Sequence, residues 1–461
     1  MNRIPTNEQT VLLAIPHYVF TSDLLRTDYI KELASKYRVL VLTPMLDDKI
    51  AKERGYFASP NVVYLKYGSS YPKFWHVMKF LRLTLVNEFD YLTSMRHYYQ
   101  RPIFKNDWRR RLVRYLAKPF AALLTAGFFT KIENIFLPKA PIFELLIDRC
   151  QPSLVVTSTP GFDSWEAEII LYSKRRGIPT VANNFTWDNL TMNCKHMRKT
   201  DWLVAWNSIM KKEAIDIHGF RPEQVFVAGT PRFDPYFTRD GHKPTREEFL
   251  KSKGLNPKYK TIFHTTVTRA YPFQKKYIRD LIELRSQGRI PYVNLFIRIH
   301  PLDNPETYTE FSSSKDFHVE TAGRAFSERG KTLVEMSYAD LLNLRYSLEY
   351  TDLNINYAST ISIEACIFDK PVINIGYFDR FALAYEFNHY RPIYESGAVR
   401  LAKTDEDLPE LINMYLKNPA LDQDRRTQIV KDYVTFTDGL AYKRNVDFLE
   451  EIDTMEKQRH G

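Results

Sequence analysis

The sequence predicts an α/β protein of two domains, each a parallel sheet wrapped by helices, with a basic helical insertion in the first. Three observations carry this. Short apolar runs, the length of buried parallel strands, alternate with segments of helical spacing along most of the chain. That rhythm is interrupted by a helical, basic stretch at about 71–138 and by a charged, proline-containing stretch at 239–260 that reads as a linker. The 461 residues suffice for two separate cores at roughly 100–200 residues per domain. The expected divisions are 1–235, 236–435 and a last helix at 436–461 that crosses back onto the first domain.

The first domain opens with a buried run, Val11 to Ile15, then helical spacing from Thr21 to Ser35, then a strand from Arg38 to Thr43. This strand–helix–strand start is Rossmann-like, but it lacks the glycine-rich fingerprint of a dinucleotide site. Asn61 to Tyr67 is the next strand. In the insertion, Arg96, Arg101, Lys105, Arg109, Arg110, Arg111, Arg114 and Lys118 are interleaved with Trp108, Leu112, Tyr115 and Leu116. A basic amphipathic helix beside the apolar run Ala121 to Phe129 suits either an anionic membrane surface or a helical insertion packed on its own domain. The alternation then resumes: helix 143–149, strand 153–157, helix 165–176, strand 179–183, strand 201–206, helix 208–218 and strand 224–228.

The second domain restarts the pattern with strands at 260–264 and 292–299 around a helix at 273–284, and a helix at 338–346. The most informative stretch follows. Leu353 to Tyr357 and Val372 to Tyr377 read as buried strands, and the segment between them is a short helix ended by Pro371. Ser359 and Thr360 are natural N-caps, and Glu364 lies one turn later. Val399 to Leu401, Leu408 to Leu416 and Asp432 to Lys457 complete the pattern as a strand and two helices.

Candidate functional residues are those that this pattern puts at the carboxyl ends of strands, where open α/β sheets bind ligands. His17 follows the first strand and is either a general base or acceptor contact, or a plain turn histidine. Asp188, in Phe185-Thr186-Trp187-Asp188-Asn189, is a second candidate base or an Asx-turn residue. In the second domain Thr265, Thr268 and Arg269 form a phosphate cradle or a polar turn. Arg298 and His300 end another strand. Ser359, Thr360 and Glu364 should converge on the same edge, with Glu364 placed to accept both hydroxyls of a ribose.

Composition narrows the function classes. Hydrophobic content of 44% and charged content of 26% are ordinary for a globular protein, and only 16 glycines argue against a low-complexity chain. The three cysteines, Cys150, Cys194 and Cys366, have no zinc-ligand spacing and fit a reducing cytoplasm. No signal-peptide pattern and no apolar run of about 18 residues is visible. A net charge of +10 points to an anionic partner, and no nucleic-acid-binding signature is present.

Several motifs resemble a known superfamily. Two Rossmann-like domains facing a central cleft look like the GT-B glycosyltransferase fold. Gly229-Thr230-Pro231-Arg232-Phe233-Asp234 resembles the Gly-x-Pro-Arg-x-Asp piece of CDP-glycerol glycerophosphotransferases, and a similar segment opens the second domain of UDP-GlcNAc 2-epimerases. Arg298-Ile299-His300-Pro301 resembles the Arg-x-His-Pro strand end of the glycerophosphotransferases and the His-Pro motif of bacterial sialyltransferases and Kdo transferases. Ala358-Ser359-Thr360 with Glu364 resembles the nucleotide motif of the same groups. The acidic motif of the sialyltransferases and the usual glycine-rich loop after strand one are missing; Pro16-His17-Tyr18 stands there.

The resemblance implies a metal-independent, cofactor-free transferase. Its nucleotide-sugar donor would sit on the second domain, and the base, His17 or Asp188, would come from the first. The acceptor would be a hydroxyl of a glycan or lipid-linked molecule, in bacterial surface polysaccharide assembly. The protein would be cytoplasmic, peripheral on the inner membrane face. A CDP-glycerol-type polyol-phosphate transferase, a nucleotide-sugar 2-epimerase and a non-catalytic nucleotide-sugar binding protein are the alternatives.

Overall fold

The computed structural model describes residues 9–68, 72–86, 92–94, 108–120, 122–136, 140–192, 199–238, 241, 243–268, 273–328, 331–377 and 382–460. The chain divides into two units, Met1–Asp234 with Leu440–Gly461, and Pro235–Gly439. Each is an α/β unit with an all-parallel main sheet, as the strand–helix rhythm predicts.

The first unit holds β1 (Thr10–Ala14), β2 (Arg38–Thr43), β3 (Val62–Lys66), β4 (Leu154–Thr157), β5 (Thr180–Asn183), β6 (Trp202–Ala205) and β7 (Val225–Val227). Their order is β3-β2-β1-β4-β5-β6-β7. The central strands are buried on both faces, which is why they read as continuous apolar runs. The strand order reverses between β1 and β4, so the topological switch point lies there.

The second unit holds β8 (Thr261–Thr265), β9 (Asn294–Ile299), β10 (Phe317–Thr321), β11 (Arg324–Glu328), β12 (Lys331–Glu335), β13 (Leu353–Asn356), β14 (Val372–Ile375) and β15 (Val399–Ala402). The main sheet runs β10-β9-β8-β13-β14-β15, with its reversal between β8 and β13. One face packs Ile262, Leu295, Ile297, Ile355 and Ile373 against the helices Gln274–Ser286 and Asp407–Lys417. β10 and the antiparallel pair β11–β12 have no counterpart among the expected strands.

Three expected elements differ. The helix expected over 21–35 is two helices, Tyr18–Leu24 and Tyr29–Lys36. The amides of Leu25 and Arg26 both return to the Thr21 carbonyl and close the first; the Thr27 hydroxyl accepts from the Tyr29 amide as the second begins. The stretch taken as a linker holds a helix, Arg246–Ser252, with a Thr245/Glu248 capping box and buried Phe249 and Leu250. The helix expected over 432–457 starts only at Ala441. Before it, a π turn at Val430–Val434 ends at Thr435, which has a positive φ of 68°.

In the insertion, the helices Pro72–Leu85 and Ala126–Phe136 pack around Trp75, Met78 and Phe129, and Trp108–Ala117 is a separate helix. Arg96, Arg101 and Lys105 lie outside the described residues. Among the described residues, no helix is long and apolar enough to cross a membrane.

Candidate active site

In the first unit the site forms at the switch point. β1 delivers His17, whose side chain is 62% exposed, and β4 delivers Asp163. His17 Nε2 lies 3.2 Å from Asp163 Oδ2. The other carboxylate oxygen, Oδ1, accepts from the Trp165 amide at 2.9 Å and caps the helix Ser164–Arg175. One carboxylate therefore ties the two strand ends together. Burial works to raise its carboxyl group, but the hydrogen bond and charge of His17 and the Trp165 amide outweigh it and hold Asp163 below the ordinary carboxylate range. Glu166, one turn on, goes the other way: burial first, then the charge of Asp163, raise it well above the ordinary value. Its oxygens receive the Ser158 amide and the Thr159 hydroxyl.

Phe20 stacks obliquely on His17, with centroids 5.6 Å apart, and meets Phe185 edge-on at 4.2 Å. The loops after β1 and β5 are joined in this way. Asp188 follows Phe185 by three residues; its Oδ1 accepts from the Thr186 hydroxyl at 2.7 Å, and its backbone starts the short helix Asn189–Met192. Burial and the Asp188 charge push Glu213 up to about 8. Asp188 is thus held by Thr186 at the start of that short helix.

In the second unit the expected donor residues flank the reversal between β8 and β13. Thr265 ends β8, and its buried hydroxyl has no hydrogen-bond partner among the described residues. The Thr266 hydroxyl accepts from the His300 amide at 2.8 Å, linking the ends of β8 and β9. His300 Nδ1 accepts from the Leu302 amide at 3.0 Å, which assigns the ring proton of the neutral form to Nε2. Thr268 is partly exposed, and Arg269 lies outside the described residues. Past β13, Ala358 turns the chain with φ 35°, and Ser359 and Thr360, both partly exposed, begin the helix Ile361–Ile367. Only Ser359 caps: its hydroxyl accepts from the Ile361 amide at 3.3 Å, whereas Thr360 already has helical dihedrals and makes no side-chain cap.

Two of the expected donor contacts point elsewhere. Arg298 is buried and pairs with Glu320, which Lys253 also meets at 2.6 Å. Burial opposes ionisation of Glu320, yet His318, 3.5 Å away, and the charges of Arg298 and Lys253 hold it down to about 2. Glu364 is fully buried rather than open at the edge.

Sequence reading missed what lies beneath. The strand register lines up Glu320, Arg298 and Thr265, and separately Asn356 with Asn374, near the carboxyl ends of β10, β9, β8, β13 and β14. Asn374 Nδ2 donates to Asn356 Oδ1 at 2.9 Å, Tyr390 donates to Asn374 Oδ1 at 2.6 Å, and Ser362 meets the Tyr390 hydroxyl at 2.7 Å. This closed polar ring fixes the floor on which Ser359 and Thr360 stand. Asp163 was also missed, although an Asp three residues before Glu166, opening a helical run after a strand, is the sequence mark of a helix start. Among the described residues no group of three or more His, Cys, Asp or Glu side chains could hold a metal ion.

Two open parallel sheets, each with polar residues at its switch point, are the architecture of the GT-B fold. Comparison with known proteins gives the family. The model of CDP-glycerol:poly(glycerophosphate) glycerophosphotransferases matches residues 175–451, more than half of the chain, and the chain belongs to that family. No curated protein sequence matches it. Solved structures with the same fold include the S. aureus MnaA–UDP co-structure, at TM-score 0.54 and 12% identity over 96% of each chain. The Neisseria meningitidis UDP-GlcNAc 2-epimerase bound to UDP-GlcNAc matches at TM-score 0.51 and 13% identity, over 96% of this chain and 100% of that one. A substituted wall teichoic acid polymerase TagF soaked with CDPG matches at TM-score 0.51 and 11% identity, over 97% and 90%.

Proposed function

We propose that this transferase moves a polyol phosphate from a CDP-activated donor, of the CDP-glycerol type, to an acceptor hydroxyl in wall-polymer synthesis. The family match is the observation that carries this reading over sugar transfer. In the reaction, the acceptor oxygen attacks the phosphorus that bears the polyol. A new phosphodiester bond forms, the pyrophosphate bond breaks, and CMP leaves.

His17 takes the acceptor proton. It is preferred over Asp188 because it is exposed at the switch point and carries a carboxylate partner, whereas the Asp188 side chain is engaged with Thr186. In the second unit Thr265, Thr268, His300, Ser359 and Thr360 bind the donor phosphates. The orphan hydroxyl of Thr265 and the Nε2–H of His300 supply hydrogen-bond donors for developing negative charge. Arg298 and Glu364 support that surface from inside, and Arg269 is a further candidate phosphate contact. The acceptor is lipid-linked and is met at an anionic membrane surface, with the basic insertion as the contact.

The test is a donor panel. The protein is incubated with CDP-glycerol, other CDP-polyols and UDP-, GDP- and CMP-linked sugars, with a lipid-linked polyol-phosphate acceptor. Expected are CMP release and a phosphodiester product from a CDP-polyol alone. Transfer of a sugar with release of a nucleotide and no phosphodiester would overturn the reading in favour of a glycosyltransferase. Conversion of a nucleotide sugar without any acceptor would favour an epimerase.

A further inference from the structure

We infer that Asp163 is a positioning residue for His17, fixing which ring nitrogen can act as the base. The inference rests on His17 being that base. The geometry assigns separate tasks to the two carboxylate oxygens. Oδ1 is held by the Trp165 amide at 2.9 Å and the Glu166 amide at 3.4 Å, so the carboxylate cannot swing away. Oδ2 is then aimed at His17 Nε2, 3.2 Å away. An ionised carboxylate is acceptor only, so the neutral ring must carry its proton on Nε2 and keep Nδ1 as the acceptor. When Nδ1 takes the acceptor's proton, the same carboxylate faces the imidazolium and stabilises it.

The surroundings keep the charge in place. Lys79, from the helix Pro72–Leu85, lowers the Asp163 carboxyl further, while burial and the Asp163 charge raise that of Glu166 beside it. Two neighbouring carboxylates are thus driven in opposite directions by their environments. Phe20 limits the ring from its side.

Asp163→Asn tests this directly. Asparagine caps helices about as well as aspartate, so the helix Ser164–Arg175 keeps its start. With the side-chain carbonyl held by the Trp165 and Glu166 amides, the amide NH2 takes the place of Oδ2 and donates to Nε2. The neutral ring must then move its proton to Nδ1, the wrong tautomer for the base. Imidazole ¹⁵N shifts of His17, read on the free protein, should report that change. In the transfer assay kcat should fall on the order of 10²- to 10⁴-fold with the donor KM unchanged, by analogy with the handling of His by carboxylates in hydrolytic triads. Asp163→Ser, which caps without facing His17 with an amide, should leave a mixture of tautomers and a smaller loss.

An unchanged tautomer in Asp163→Asn overturns the inference, and so does a changed tautomer with kcat within about tenfold of the wild type. Failure of the base assignment itself is read separately. If His17→Gln transfers at the wild-type rate, the proposed role of His17 falls, whatever the tautomer does.

Discussion

His17 and His264 show how two histidines in one chain take opposite parts. His17 stands at an open strand end beside a carboxylate, and its replacement by glutamine should lower kcat by about 10²- to 10⁴-fold. Donor affinity, read by thermal shift with CDP-glycerol and CMP, should be unchanged; a loss of donor binding instead would mean that the residue holds the donor. His264 is sealed inside the second unit, its Nδ1 donating to the Ile355 carbonyl at 3.0 Å, and burial lowers it to about 4. Above pH 6.5, the ordinary histidine value, neither the folded nor the unfolded chain is charged here. Between 6.5 and 4 the unfolded chain takes the proton and the folded one does not, so this contribution to stability is full above 6.5 and is lost as the pH falls through 4. The total is on the order of 3 kcal/mol. His264→Asn keeps a donor to Ile355 and cannot titrate. Urea midpoints at pH 7 and pH 4.5 should therefore differ less for it than for the wild type, and equal acid sensitivity would rule out His264 as the source.

Between elements, buried polar contacts do what the apolar pattern cannot. Arg82 and Glu133 are both buried and form a two-pronged pair, Nε to Oε1 at 2.7 Å and Nη2 to Oε2 at 2.9 Å, between the helices Pro72–Leu85 and Ala126–Phe136. Glu133→Leu alone strands a buried guanidinium and should cost about 3–5 kcal/mol, whereas Arg82→Met with Glu133→Leu should recover most of it. Guanidinium denaturation of the three variants decides; a double variant as weak as the single one would show that the pair carries more than mutual compensation. Asp234 does similar work for the last helix, accepting from the amides of Ala441 at 2.9 Å and Tyr442 at 2.8 Å. Asp234→Ala should cost about 1–2 kcal/mol and raise amide exchange in the first turn of Ala441–His460; unchanged exchange there would deny it the role of cap. These contacts also explain what was legible. The β8, β9 and β13 runs announce themselves because strands buried on both faces carry large apolar side chains, and Thr265, His300, Ser359 and Thr360 lie at or just past their carboxyl ends. Asp163 did not announce itself as a partner of His17, because the two are 146 residues apart and meet only when β1 and β4 pair. Arg298 looked like a ligand contact because its partner Glu320 lies on β10, a strand with a weak apolar signal.

At the scale of the whole chain, net charge and exposed apolar surface point the same way. The protein carries +10, and its insertion holds a run of basic residues around the helix Trp108–Ala117. On that helix Trp108, Leu112, Tyr115 and Leu116 are all exposed, at a spacing that puts them on one face, and Phe120 and Leu123 extend the apolar surface beyond it. Elsewhere on a water-facing protein such a face would be costly. Against an anionic bilayer the apolar side chains leave water, and each nearby basic residue adds about 1 kcal/mol. The chain should therefore sediment with vesicles of mixed phosphatidylglycerol and phosphatidylcholine, and much less with phosphatidylcholine alone. Binding should weaken as salt is raised, because the electrostatic part is screened within about 10 Å at 0.1 M. Trp108→Ala with Leu116→Ala should weaken it at least about tenfold, the loss expected when one buried side chain's transfer energy is forfeited. Release of CMP from CDP-glycerol in solution should persist in that variant, since the proposed donor residues belong to the second unit and these two to the first. Equal binding to neutral vesicles, or none to anionic ones, would leave the apolar face to a protein partner and remove the membrane from the proposed reaction.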